Sequence, residues 1–356
     1  MERILTQRIY LDHAATTPMT AAAQAAVAQG MASWANPSSP HAEGRAARAG
    51  LETARRAIAA AYGWDGEAIL TSGASESLAI ALGRSTLPRR LLTVVEHDAA
   101  IRAGGGAGVV PVGLDGIVDT EGLAALLGGE PALVCVQWAN SETGVRQPIA
   151  AIADIVHAAG GRLLVDAAQM PAAADLAAHA DMVALSAHKR GGPPGVGALL
   201  VRDLGALVPS GGQERGYRPG TENLPGAMGY AAALAEPEAD HRERRARLDD
   251  AIARSGGIVV AADSPRHPAI GSYRLPGAAA VAQLIRLDSA GFAVSAGSAC
   301  SSGSLKPSHV LAAMGWSVEA GREVIRVSFG RDTDDAEVDA FIAAWRAMAK
   351  AMRRAA

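Results

Sequence analysis

Short, nearly continuous apolar runs, separated by alanine-rich helical patterns, recur through most of the first 240 residues and narrow the fold more than any other feature. The runs are AILTSG (68–73), LLTVVEH (91–97), ALVCVQWAN (132–140), RLLVDAAQ (162–169), MVALSAHK (182–189) and GALLVRD (197–203). A strand that is apolar at successive positions must be covered on both faces. With a helix or long connection after each, that requirement predicts an α/β fold built on a mostly parallel sheet. Between two of the runs, IAAIADIVHAAG (149–160) places Ile149, Ile152 and Val156 on one helical face and stops at Gly160-Gly161. Cys135, inside a run, reads as a buried packing residue.

Beyond residue 240 the pattern changes. ADHRERRARLDDAIA (239–253) has helical capacity and reads as a solvated charged face, placed where a hinge helix between two domains would sit. An isolated strand at GIVVAAD (257–263), two helices and a basic amphipathic tail follow.

Composition removes several classes of function. Thirty-three Lys and Arg against 36 Asp and Glu leave a net charge of -3, which gives no general attraction to nucleic acid or to an anionic membrane. Two cysteines supply neither a disulfide framework nor a four-cysteine zinc site, and the nine histidines show no HExxH spacing, so no metal is expected. The start MERILTQRIYLDHAATTP lacks the apolar core of a signal peptide, and no run has membrane-spanning length; the expected location is the cytoplasm.

Ligands of open parallel sheets bind outside the carboxyl ends of the strands. The residues there read TSGASES, EH, NSETG, DAAQ and SAHK. Asp166 and Lys189 end two successive runs, a spacing compatible with pyridoxal phosphate, which needs a lysine for its Schiff base and an acid on its ring nitrogen. Either residue alone also suits an ordinary surface. Gly73, Ser75, Ser186 and His188 add what a phosphate requires, namely amides from a glycine turn that opens a helix, and hydroxyls. His97 reads either as a structural histidine or as a proton shuttle above the same pocket. The pattern GxxxxGK[ST] is absent, and GGGAG (104–108) reads as a flexible turn.

Over nearly its whole length the chain resembles the cysteine desulfurases of the aminotransferase class V group, specifically those with the cysteine in a long mobile loop. The matching segments are YLDHAATTP (10–18), NPSSPHAEG (36–44), TSGASES (71–77), EH (96–97), NSETGVRQPI (140–149), VDAAQ (165–169), SAHKRGGPPGVGAL (186–199), GGQERGYRPGTEN (211–223), GSACSSGSLKPSHVL (297–311) and IRVSFGR (325–331). The resemblance implies the pyridoxal-phosphate aminotransferase type I fold. Residues 15–240 would form the large cofactor-binding domain, and 1–14 with 241–356 a smaller α+β domain carrying the cysteine loop.

The resemblance also implies roles. Lys189 would be the Schiff-base lysine, Asp166 the partner of the ring nitrogen and Gln169 a donor to the ring oxygen. Ala74, Ser75, Ser186 and His188 would form the phosphate cup, joined by Thr221 from a second subunit, which makes a homodimer part of the site. His97 would stack on the ring and move protons; Arg326, assisted by Asn36, would grip the carboxylate of L-cysteine. Cys300 would take the substrate sulfur as a persulfide and pass it to an acceptor such as an iron-sulfur scaffold, leaving L-alanine. Selenocysteine lyase, or another enzyme of this fold, is the alternative activity implied. Where relatives carry two asparagines, this chain has Asn140-Ser141, so either can be the residue that contacts the cofactor; Leu78 and Pro194 are further departures. The glycines and serines around Cys300 tolerate many backbone angles, while Pro307 and the spacing of Val310, Leu311 and Met314 start a fixed helix just beyond. A tethered, swinging sulfur carrier is expected.

Overall fold

The computed structural model describes residues 8–296 and 307–353. Strand β1 (Ile9–Tyr10) is followed in the chain by seven strands that share one sheet: β2 (Glu67–Thr71), β3 (Arg90–Thr93), β4 (Gly108–Val110), β5 (Leu133–Gln137), β6 (Arg162–Asp166), β7 (Met182–Ser186) and β8 (Gly197–Val201). Their order across the sheet is β2-β8-β7-β6-β5-β3-β4. Pairing is parallel from β7 through β4, and β8 runs antiparallel to both of its neighbours.

The apolar runs are continuous because both faces of these strands are buried. Val134, Val136, Leu163, Val165, Val183 and Leu185 pack into the core on one face. Leu133, Cys135, Leu164, Met182 and Ala184 pack into the core on the other. Helix Ile149–Ala158 buries Ile149, Ile152 and Val156 as its periodicity predicts. The glycine run at 104–108 does more than turn. Gly104 ends the helix Asp98–Gly104, Gly105 and Gly106 take positive φ, and Gly108 enters the short edge strand β4.

A second core lies in the C-terminal part of the chain. Strands β9 (Ile258–Val259) and β10 (Ile270–Arg274) precede β11 (Phe292–Ala293) and β12 (Val324–Ser328); the antiparallel order is β12-β10-β9. The long helices Arg242–Arg254 and Asp335–Arg353 pack on this sheet around Leu248, Ile252, Phe341 and Trp345. The N-terminal segment joins this unit: β1 pairs parallel with β11, Asp12 bridges to Ser328, and Leu11 is part of the second core.

The helix at 242–254 differs from a solvated charged face. Arg245 is buried, donating to the carbonyls of Pro268, Ala269 and Val327, and its guanidinium lies 4.0 Å from the Phe329 ring centroid. No helix among the described residues is long and apolar enough to cross a membrane.

Candidate active site

The carboxyl ends of β2, β3, β5, β6 and β7 converge on one cavity of about 520 Å³. Ala74, Ser75, His97, Ser141, Asp166, Gln169, Ser186, His188, Lys189 and Arg326 line it together.

Gly73 opens the helix Ala74–Arg84. Its φ of +148° lies where side chains are rarely found, and it brings no side-chain acceptor, so the first amides of the helix are left for a ligand. A Cβ built there would face the Ser186 hydroxyl at 4.0 Å. The turn is drawn in by Gly197 on β8, where a Cβ would lie 2.5 Å from Gly73 Cα. Bare amides at a helix N-terminus, with Ser75 and Ser186 beside them, make an anion site. Glu76 borders it as well. Burial would raise its carboxyl, but the Ser72 amide and Arg218, whose Nε lies 2.9 Å away, hold it below its ordinary value.

Asp166 ends β6 only 7 % exposed, with Oδ1 accepting from the Ala168 amide at 2.9 Å. Gln169, one turn on, donates Nε2 to the Ala14 carbonyl at 3.0 Å. Ser186 ends β7, the connection from there to β8 carries His188 and Lys189, and Thr17 Oγ1 donates to the Lys189 carbonyl at 3.2 Å. Burial, then the neighbouring Lys189, lowers the His188 pKa.

His97 caps the helix Asp98–Gly104. Its Nδ1 accepts from the Ala99 amide at 3.1 Å, so the neutral ring carries its proton on Nε2. Burial and the charge of Lys189 lower its pKa against the opposing pull of Asp166 and Asp98, favouring that neutral form.

Arg326 enters from β12 and is 2 % exposed. Its Nη1 donates to the Ser141 carbonyl at 3.0 Å and its Nη2 to Asp12 Oδ1 at 2.7 Å, while Nε has no acceptor among the described residues. Asp12 lies within the YLDHAATTP segment. The only sequence signal for it is a carboxylate beside a histidine in that segment.

Three expected site residues are placed elsewhere in this chain. Asn140 is buried in the turn after β5: its Oδ1 accepts from the amides of Glu142 and Thr143, and its Nδ2 donates to Val95 and Gln137. Ser141, not Asn140, lines the cavity. Asn36 is exposed, with Oδ1 accepting from the Ser38 amide, and Thr221 is also exposed; neither borders the cavity of its own chain. Cys300 lies outside the described residues. The chain on either side of it is tied to the site. Ser295 pairs with Arg326 through the main chain, Ser308 Oγ donates to Glu142 Oε2 at 2.5 Å, and His309 Nε2 meets the Glu96 carbonyl at 2.9 Å.

Comparison with known proteins places this geometry. A cysteine desulfurase of Cereibacter sphaeroides is 37 % identical, covering 94 % of this chain and 93 % of that protein. An IscS-like cysteine desulfurase of Mycobacterium tuberculosis is 36 % identical, covering 98 % of both. The X-ray structure of a NifS-like protein from Rickettsia africae superposes with a TM-score of 0.83 at 28 % identity, covering 97 % of this chain and all of that one. Residues 9–341 match the aminotransferase class-V family, and the chain belongs to that family.

Proposed function

We propose that this chain is a pyridoxal-phosphate-dependent cysteine desulfurase that converts L-cysteine to L-alanine and takes the sulfur onto Cys300 as a persulfide. The observation that carries the reading is the convergence of buried Asp166, Lys189 and the uncapped helix start at Gly73 on one cavity that Arg326 also borders. Relatives named cysteine desulfurase cover nearly the whole chain, which supports the choice of substrate.

The residues fit the cofactor. Asp166 offers a buried carboxylate for a ring N–H, Lys189 an amine for the aldehyde, and the first amides of the helix Ala74–Arg84, with Ser75 and Ser186, a cradle for phosphate. When bound, the cofactor supplies an electron sink for bond changes at the substrate. Lys189 holds the group and moves protons on the substrate carbon. His97 presents an Nε2–H donor while its Nδ1 stays on the helix cap. Arg326 binds the carboxylate through guanidinium protons not given to Asp12 and Ser141. The Cys300 thiolate attacks the substrate sulfur, the carbon–sulfur bond breaks, and a proton completes alanine; the products are L-alanine and Cys300–S–SH.

The finer parts of the reading are a homodimer in which Thr221 completes the phosphate cup of the partner subunit, and a sulfur-accepting protein such as an iron-sulfur scaffold in the cytoplasm. The exposure of Thr221 away from its own cavity supports the first. The separate core around Leu248, Ile252 and Trp345 supports a division into 15–240 and 1–14 with 241–356. The test is alanine release from L-cysteine without an added keto acid, together with a sulfur-atom mass gain on the peptide containing Cys300. Cys300→Ser is expected to abolish both, and Lys189→Ala to abolish the yellow colour of the holoenzyme. Wild-type turnover by Cys300→Ser would overturn the reading.

A further inference from the structure

Glu96 is completely buried, and the proposed reaction gives it no task. Its surroundings are unusually specific. The parallel ladder between β3 and β5 ends at Leu92 and Cys135, because the chain turns at Val94–Val95. The next inward amide of β5, Gln137 N–H, has lost its strand partner and donates to Glu96 Oε1 at 2.9 Å. Thr93 Oγ1 donates to the same oxygen at 2.5 Å. The Gln137 side chain donates to the Val95 carbonyl, and the Glu96 carbonyl meets His309 Nε2 at 2.9 Å. Among the described residues, Glu96 Oε2 faces the Cys135 sulfur, at 4.0 Å.

Two cavity groups depend on this arrangement. His97 is the next residue, and its ring is aimed by the helix cap that begins there. Gln137 is the register partner of Asp166 in the adjoining strand and itself borders the cavity. We propose that Glu96 is a positioning residue: its side-chain oxygen replaces the missing strand carbonyl, and so fixes both the turn that delivers His97 and the β5 edge against which Asp166 is set. Glutamate reaches across the gap left by the turn; a shorter side chain leaves the Gln137 amide buried without an acceptor.

The carboxyl's charge state follows from the same enclosure. Burial, opposed by the Thr93 hydroxyl and the Gln137 amide and reinforced by the nearby Asp166 charge, lifts its pKa to about 8. The groups around it are Thr93 and His97 from its own segment, Cys135 and Gln137 from β5, Asp166 from β6 and His309 from beyond the cysteine segment. At neutral pH the carboxyl is therefore protonated, and its ionisation on the alkaline side adds a second negative charge behind Asp166.

Two substitutions separate acceptor from charge. Glu96→Ala removes the acceptor, and kcat for alanine formation is expected to fall by about tenfold or more, with KM nearly unchanged. Glu96→Gln keeps an oxygen for Gln137 and Thr93 and is expected to recover most of that loss, while removing the transition near pH 8 from the holoenzyme's visible absorption. A third measurement needs no cofactor: melting of the cofactor-free protein from pH 5 to 9. A folded pKa raised above the unfolded one gives stability that is complete at low pH and lost as pH rises through the folded value. Wild type is thus expected to lose melting temperature relative to Glu96→Gln between about pH 4.5 and pH 8. Equal losses of kcat in both variants, full activity of Glu96→Ala, or superimposable pH profiles for wild type and Glu96→Gln would each overturn the proposal. The kinetic arm rests on the desulfurase reading. If that reading fails, wild type itself makes no alanine, whereas cofactor-free Glu96→Ala, which leaves the Gln137 amide without its acceptor, is still expected to melt below Glu96→Gln, and equal melting of the two would overturn the acceptor role.

Discussion

Arg326 donates its Nη2 to Asp12 Oδ1 at 2.7 Å, joining the N-terminal segment to β12 across 314 residues of chain. The guanidinium is nearly sealed from solvent, and Asp12 is the acid paired with it; Asp12 itself retains about a fifth of its side-chain exposure. Removing one partner of an enclosed pair strands the other charge. Asp12→Ala is therefore expected to cost roughly 2–4 kcal/mol in urea unfolding, toward the low end because the aspartate is partly hydrated. A guanidinium no longer held on that side reorients, so KM for L-cysteine should rise more than kcat falls. Unchanged KM would remove Asp12 from carboxylate recognition.

Gly197 and Gly73 touch backbone to backbone where the anion site is built. Gly197→Ala places a methyl 2.5 Å from Gly73 Cα and closer still to the Leu185 carbonyl, neither of which is a flexible side-chain end. The turn must move away from Ser186. Cofactor retention on dialysis, followed by the loss of visible absorption, should fall by about tenfold or more, because displaced amides no longer converge on one phosphate. Retention equal to wild type would show that the cradle tolerates the shift.

The sheet was legible in the sequence because burial on both faces leaves no polar phase in its strands, and Thr93, Gln137, Asp166 and Ser186 mark where four of them stop. Strand β4 was hidden because three residues after a glycine run carry no period. The aspartate–lysine pair and the glycine turn of the site could be read from local spacing. The Asp12–Arg326 contact could not, since nothing local ties residues that far apart. Arg245 was unreadable for a different reason: its acceptors are main-chain carbonyls at 268, 269 and 327, which have no signature in side-chain types. Asn140 shows the converse. Its residue type suits ligand contact, but its side chain is consumed by the turn it closes.

His97 combines two roles that substitution can part. Asparagine caps helices well, whereas an amide cannot exchange a proton near neutral pH. His97→Asn is expected to keep the stability of helix Asp98–Gly104 to within about 1 kcal/mol while lowering kcat by about a hundredfold. The pH dependence carries a sign. Because the folded ring has a pKa below its ordinary 6.5, its contribution to stability is present above pH 6.5 and is lost as pH falls through the folded value. The asparagine variant should lack that acid-side loss, as monitored by circular dichroism; an identical loss in both proteins would assign it to other groups.

Glu214 and Arg55 form a buried pair that anchors the segment leading to Thr221. Arg55 Nη2 donates to Glu214 Oε1 at 3.0 Å, and Glu214 Oε2 accepts the Leu70 amide at 2.8 Å on the outer edge of β2. One carboxylate thus neutralises a buried cation and covers an open sheet edge. Its backbone sits at φ +47°, which a non-glycine residue adopts at a cost that these contacts must offset. Glu214→Ala removes both functions and should destabilise the protein by about 3–5 kcal/mol. Glu214→Gln keeps an acceptor for Leu70 but leaves Arg55 with the partly exposed Glu52 as its paired carboxylate, beside the Ala68 carbonyl, so a smaller loss is expected. Arg55→Met placed on top of Glu214→Gln then removes the stranded cation, and the double variant should be more stable than Glu214→Gln by about 1–2 kcal/mol. Additive losses in this cycle would mean that the pair acts through packing, and the anchoring of the segment before Thr221 would have to be sought in Arg218 and Glu76 instead.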